Sequence, residues 1–428
     1  MGSKSKIFND GIFMKTSTAS LILISSLMLT ACGKPSNGDD IPVIPLPNGM
    51  TLPTVTGINV LTMDVSTTSG NCGSGTLYIN KPCVTVTVCD TSSRCTTIND
   101  ILVDTGSFGL RVFKSVLGST TPTQITVGGK NLAECVEYGD GSIQWGSVAT
   151  AQVKLGGESA VTVPIQVIDP DFGDKGSTAG CTDGDTAPGT NPSTDASFNG
   201  ILGVGPYVQD CGSDCVSNTD HGNYFTCSGT SCSPSTVPLA SQVTNPVSAL
   251  GTDNNGVILM LPNLNFGGAV STSGYLVLGI GTRSNNTLSG VKAYPMNPSN
   301  MSFTTSYNGH DYQGFLDSGS NGLFFPNTNS ALKNCSGWYC PSSTQTLSAV
   351  NQAYNSNIKG TIQFQIENFN TFWNDPNNYW VGKETGGSSS GLLNGLFDWG
   401  LSFFYGRNVA VGIEGKSSSL GTGPYWAY

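Results

Sequence analysis

A mainly β chain folded as two lobes is what the sequence predicts, and three observations predict it. Charged residues make up only 11% of the 428 residues while glycine alone supplies 55, a composition that suits short strands and loops better than helical bundles. Apolar and β-branched residues alternate in short runs, and the 3.6-residue spacing of an amphipathic helix is scarce. A nine-residue segment occurs twice, about half a chain apart, in a chain too long for a single ordinary core.

The elements follow in chain order. Lys4, Lys6 and Lys15 accompany an apolar run from Ala19 to Leu29, which is too short to span a bilayer and fits the centre of a signal peptide. It ends in Leu29-Thr30-Ala31-Cys32, which resembles a bacterial lipobox. That resemblance implies loss of residues 1–31 and lipid on the sulfur and amino group of Cys32, with more than one acyl chain making the anchor stable. Gly33 follows Cys32 where many inner-membrane lipoproteins carry Asp, which favours the outer membrane, on its periplasmic or surface face. Residues 32–53, rich in Pro, Gly and Asp, read as a flexible tether. An N-terminal lobe is expected over 54–268 and a C-terminal lobe over 269–428.

Strands are expected at Val84–Val88, Ile101–Val103, Gln152–Leu155, Val163–Ile168, Val257–Leu261, Tyr275–Leu278, Thr361–Ile366 and Val409–Ile413. Asp169–Asn199 and Asp210–Ser235 read as irregular. The first holds Asp169, Asp171, Asp174, Asp183 and Asp185 but lacks the ligand register of a calcium loop, so it reads as a solvated insertion. Of thirteen cysteines, setting Cys32 aside leaves an even dozen, the parity of disulfides in an exported chain. Cys211/Cys215, Cys227/Cys232 and Cys335/Cys340 are candidate pairs. With two histidines and no paired CxxC knuckles, no metal site or cofactor is expected. A net charge of −10 argues against a nucleic-acid partner.

The repeat carries the chemistry. Leu102-Val103-Asp104-Thr105-Gly106-Ser107-Phe108-Gly109-Leu110 matches Phe315-Leu316-Asp317-Ser318-Gly319-Ser320-Asn321-Gly322-Leu323. Two apolar residues, Asp, Thr or Ser, Gly and Ser, once per half, resemble the pepsin-like aspartic peptidases. Tyr138-Gly139-Asp140-Gly141-Ser142 is similar to that family's flap hairpin, and Gly200–Gly205 to the strand beneath the first active-site loop. Tyr275–Gly279 and Asp398–Ile413 resemble its junction and closing strands. Gly406–Gly415 also looks like a group of exported bacterial proteins of unassigned function. The resemblance implies a bilobal pepsin-like acid-protease fold, two β-barrel-like lobes with a cleft between them. It further implies a monomeric endopeptidase that takes an extended peptide or unfolded protein as substrate.

The residue types suit that chemistry. Two carboxylates about 3 Å apart cannot both ionise, so Asp104 and Asp317 would share one proton, one acting as base on a water and the other polarising the carbonyl. Gly106 and Gly319 let backbone N–H groups approach the carboxylates, and Ser107 and Ser320 can donate hydroxyl bonds to them. By resemblance, Thr105 and Ser318 reach across between the lobes and lock the loops. Tyr138, Gly139, Asp140 and Gly141 form a flap over the substrate.

Two departures from the family pattern stand out: Arg111 replaces a Trp that meets the flap, and Asp398 replaces an apolar residue. The alternative is a non-catalytic pepsin-fold lipoprotein that binds peptide or glycan or inhibits another enzyme. A two-carboxylate glycosidase needs a wider separation than this motif gives. Gly387-Ser388-Ser389-Ser390-Gly391 spells a nucleophile elbow, but both His221 and His310 precede it, against the order of that motif.

Overall fold

The computed structural model describes residues 43–44, 52–66, 70–73, 78–173, 196–375 and 380–428. The chain is mainly β, in two large sheet systems: a closed barrel and a ten-stranded sheet. Each strand expected from the sequence overlaps an observed strand, among them Pro82–Cys89, Cys95–Asp104, Val161–Ile168, Thr272–Leu278 and Lys359–Ile366, while Leu261 and Ile413 lie one residue past the ends of theirs. Alternation explains the outer strands. Lys359–Ile366 buries Gly360, Ile362, Phe364 and Ile366 and turns Lys359, Thr361, Gln363 and Gln365 outward. Helix is limited, among the described residues, to short turns such as Asp214–Ser217 and Phe369–Trp373, and no described helix could cross a membrane.

The same three-strand unit occurs in each half. Gly200–Val204 lies between Cys95–Asp104, which it meets in parallel, and Phe108–Phe113, which it meets antiparallel. Leu396–Gly400 lies in the same way between His310–Asp317 and Leu323–Phe325. Strands so placed are covered on both faces, which is why Ile101-Leu102-Val103 and Phe315-Leu316 are apolar without alternation. Close approach of backbone demands glycine at the crossing: a Cβ on Gly203 would lie 2.5 Å from the Phe108 nitrogen, and one on Gly400 would strike the Gly322 carbonyl.

The hydrogen-bonded sheets do not part at residue 268. Val60–Val65, Thr272–Leu278, Gly256–Met260, Asn408–Gly412, Tyr425–Ala427 and Ala293–Pro295 pair in that order, so strands from both halves form one antiparallel base. Val60–Val65 also pairs with Pro82–Cys89 and so joins this base to the barrel. Val43–Ile44, within the stretch read as a tether, pairs in parallel with Thr361 and Ile362 at the edge of the ten-stranded sheet. Cys32, residues 1–31 and the middle of Asp169–Asn199 lie outside the described residues.

The three candidate cysteine pairs are disulfides, as are Cys72–Cys83 and Cys89–Cys95. One segment read as irregular is ordered. Within 210–235, Tyr224–Ser228 and Ser231–Pro234 form a hairpin tied by Cys227–Cys232 and laid against Lys130–Glu137. Its short strands, broken by cysteine and serine, carry little periodicity. Partner strands and a disulfide hold them instead.

Candidate functional site

The two copies of the repeat meet face to face. Each Asp ends a buried strand, and the chain then turns so that the following residues fold back on the carboxylate. In the first copy the Gly106 N–H donates to Asp104 Oδ1 at 2.7 Å and the Ser107 hydroxyl donates to Oδ2. In the second, the Gly319 N–H donates to Asp317 Oδ1 at 2.7 Å and the Ser320 hydroxyl lies 3.0 Å from Oδ2. The glycines are fixed by the opposite loop. A Cβ on Gly106 would stand 2.7 Å from the carboxyl carbon of Asp317, and one on Gly319 would stand 2.8 Å from Asp104 Oδ1. Each loop therefore rests a bare backbone on the other loop's carboxylate.

Thr105 and Ser318 exchange bonds across the junction. The Thr105 hydroxyl donates to the Leu316 carbonyl at 2.9 Å and accepts from the Ser318 N–H at 2.9 Å. The Ser318 hydroxyl donates to the Val103 carbonyl at 2.7 Å and accepts from the Thr105 N–H at 3.1 Å. All four groups are buried and satisfied, and no rotation of one loop alone preserves them.

Asp104 and Asp317 face one another, each carboxyl set against the other loop's glycine, and neither residue is exposed. Both pKa values are raised, first by burial. For Asp104 the Ser107 hydroxyl, the bond from Asp317, the Gly106 N–H and the positive charge of Arg111 oppose the rise. For Asp317 the charges of Asp104 and Asp398 add to it, and the carboxyl stands well above the usual range. The two carboxyls therefore titrate as a pair that resists full ionisation, Asp317 being the more strongly raised of the two.

The hairpin of Lys130–Glu137 and Ile143–Leu155 carries the expected flap sequence at its turn. Gly141 sits at φ +84° to close it, and Asp140 Oδ1 accepts from the Ser142 N–H at 2.8 Å. The Gly139 carbonyl reaches the neighbourhood of Gly391 on the other side. Tyr138 is buried, its hydroxyl donating to Gln144 at 2.9 Å. Beneath it Arg111 is wholly buried and bonds Glu134 at 2.8 Å, Asp210 at 2.9 Å and the Phe108 carbonyl. The Tyr224 hydroxyl donates to Asp210 at 2.6 Å. Arg111 is thus the centre of an ionic cluster under the flap, and it adds positive charge near Asp104.

Sequence reasoning passed over Tyr78 and Asn80. The Tyr78 hydroxyl donates to the Gly319 carbonyl at 2.8 Å, and Asp140, Asp317, Asp104 and Asp398 all lie close enough to raise its pKa, after burial. The Asn80 side chain donates to the Asn321 and Gly382 carbonyls and accepts from the Gly382 N–H and the Tyr405 hydroxyl, each at 2.8 Å. This segment from the first half is therefore built into the second, between flap and aspartates. A lone Tyr-Ile-Asn between loops gives no sign of that. His310 is exposed at the far end of its strand.

Fold and site together define a class: a mainly β protein in which two repeated loops bring a pair of buried aspartates face to face. The chain itself belongs to the family described as protein of unknown function (DUF3443), which matches residues 56–428. No curated protein matches it.

Proposed function

We propose that this protein is an aspartic endopeptidase of pepsin-like architecture, held at the outer membrane by lipid on Cys32 and acting on extended peptide or unfolded protein. One observation supports the reading: two buried aspartates at the ends of duplicated loops face one another, each against the other loop's glycine, an arrangement that favours one proton between them. In the reaction, Asp104 takes a proton from a water while that water's oxygen bonds to the scissile carbonyl carbon. Asp317 gives its proton to the carbonyl oxygen, and a neutral tetrahedral diol results. Asp104 then passes its proton to the amide nitrogen as the C–N bond breaks, and Asp317 recovers its proton from the diol as the carboxyl product forms. The reaction needs no charge beyond the one already on the pair. The flap turn, with Tyr138 at its base, excludes water once substrate lies beneath it.

The test is digestion of a denatured protein mixture from about pH 3 to 7, with and without pepstatin, by wild type and Asp104→Asn. Cleavage that pepstatin blocks and the variant lacks is the expected result. Cleavage that persists in the variant, or none at any pH, would sink the reading. In the latter case the full burial of both aspartates favours the binding or inhibitory alternative.

A further inference from the structure

The second half of the site holds a carboxyl group that the two-aspartate reaction leaves without a role. Gly400 stands opposite Asp317 in the sheet as Gly203 stands opposite Asp104. Two residues earlier the symmetry breaks: the first half has Ile201, opposite Leu102, and the second has Asp398, opposite Phe315. Asp398 is fully buried, and its other strand neighbour is Phe324. Among the described residues its Oδ1 has no hydrogen-bond partner. Its Oδ2 meets the Ser320 hydroxyl, the same hydroxyl that lies 3.0 Å from Asp317 Oδ2.

A hydroxyl has one proton to donate. If Ser320 gives it to Asp317, its contact with Asp398 requires a proton on Asp398. If Ser320 gives it to Asp398, the proton must be on Asp317. Both contacts are satisfied only when at least one of the two carboxyls is protonated. The titratable groups facing Asp398 are Asp317, Asp104 and the Tyr78 phenol, and none of them brings positive charge. Its strand neighbours, Phe315 and Phe324, are uncharged.

We propose that Asp398 is a third carboxyl of the site, a positioning residue that acts through Ser320 so that three carboxyls share two protons and Asp317 keeps its own to higher pH than a bare pair would. Its effect on rate rests on the peptidase reading; its proton does not. Burial pushes the Asp398 carboxyl well above the ordinary range, against the Ser320 hydroxyl and with help from the Asp104 charge. As pH rises, a charge formed on Asp398 disfavours a second charge on Asp317. The last proton of the pair is then retained further toward neutrality.

Two measurements on the full chain test this, using Asp398→Asn and also Asp398→Val, which copies the apolar character of Ile201. The first is the unfolding equilibrium against pH. The sign follows from a raised folded pKa: the folded wild type holds a proton that the unfolded chain has released, so its folding constant falls as pH rises above the unfolded value. Removing Asp398 should lower that dependence by up to one proton, up to about tenfold less change per pH unit, in the range where wild type still holds it. The second is peptide cleavage against pH. The alkaline limb should move toward acid, so that the rate near pH 7 falls about tenfold relative to that near pH 4. An unchanged proton dependence of unfolding overturns the third proton. A changed dependence with an unmoved or alkaline-shifted limb overturns the link to Asp317. If wild type cleaves nothing, the peptidase reading falls, and the unfolding measurement still decides on Asp398.

Discussion

At the scale of single residues, the site is held by groups with no slack. Thr105→Val keeps the shape of the side chain but leaves the Ser318 N–H and the Leu316 carbonyl buried and unpaired. Each orphan costs about 1–3 kcal/mol, so a loss of about 2–4 kcal/mol is expected in urea unfolding, with Thr105→Ser restoring most of it. Gly319→Ala tests the other constraint. Its backbone needs no positive φ, but the new methyl would fall 2.8 Å from Asp104 Oδ1 and push the carboxylate aside. Cleavage should drop about a hundredfold while the circular dichroism spectrum stays that of wild type. These residue types were legible in the sequence because the motif repeats. Ser320's second partner was not, because Asp398 lies far along the chain on a strand whose register had to be known first.

At the scale of elements, the hairpin of Lys130–Glu137 and Ile143–Leu155 stands on a buried ionic cluster. Arg111 faces Glu134 from the hairpin and Asp210 from the loop after Gly200–Val204, all three fully buried. Burial first, then the Glu134 charge, holds the Asp210 carboxyl well above its ordinary range. Arg111→Ala should cost about 3–5 kcal/mol in chemical unfolding, because the buried acidic groups of Glu134 and Asp210 lose their common cation and donor. Arg111→Lys should cost less, as it keeps the charge while losing the fork of donors. The strands themselves were readable because each carries an apolar run or an alternation. The Tyr224–Ser228 and Ser231–Pro234 hairpin was not, since its partners and its disulfide, not its side-chain pattern, keep it extended.

At the scale of the whole molecule, further buried acids tie stability to pH. Glu367 and Glu384 are nearly inaccessible and are pushed up to about 7, in both cases first by burial. A raised folded pKa means that stability is full below the unfolded value and is lost as pH climbs through the folded one. Melting temperature should thus fall from about pH 4.5 to 8, and Glu384→Gln should flatten the curve by up to roughly 3 kcal/mol at the upper end. Some things were determined by the sequence alone: the β class, the strand positions, the duplicated loop with its aspartates, and the nearest cysteine pairs. Each is local, written in alternation, spacing or repetition within a few residues. Tertiary structure alone decided that strands from both halves share one antiparallel base and that Tyr78 and Asn80 reach from one half into the other. It also decided that a third aspartate shares a hydroxyl with the second. Those contacts join residues hundreds of positions apart, and a buried polar side chain is placed by the partner that satisfies it, which no local pattern records.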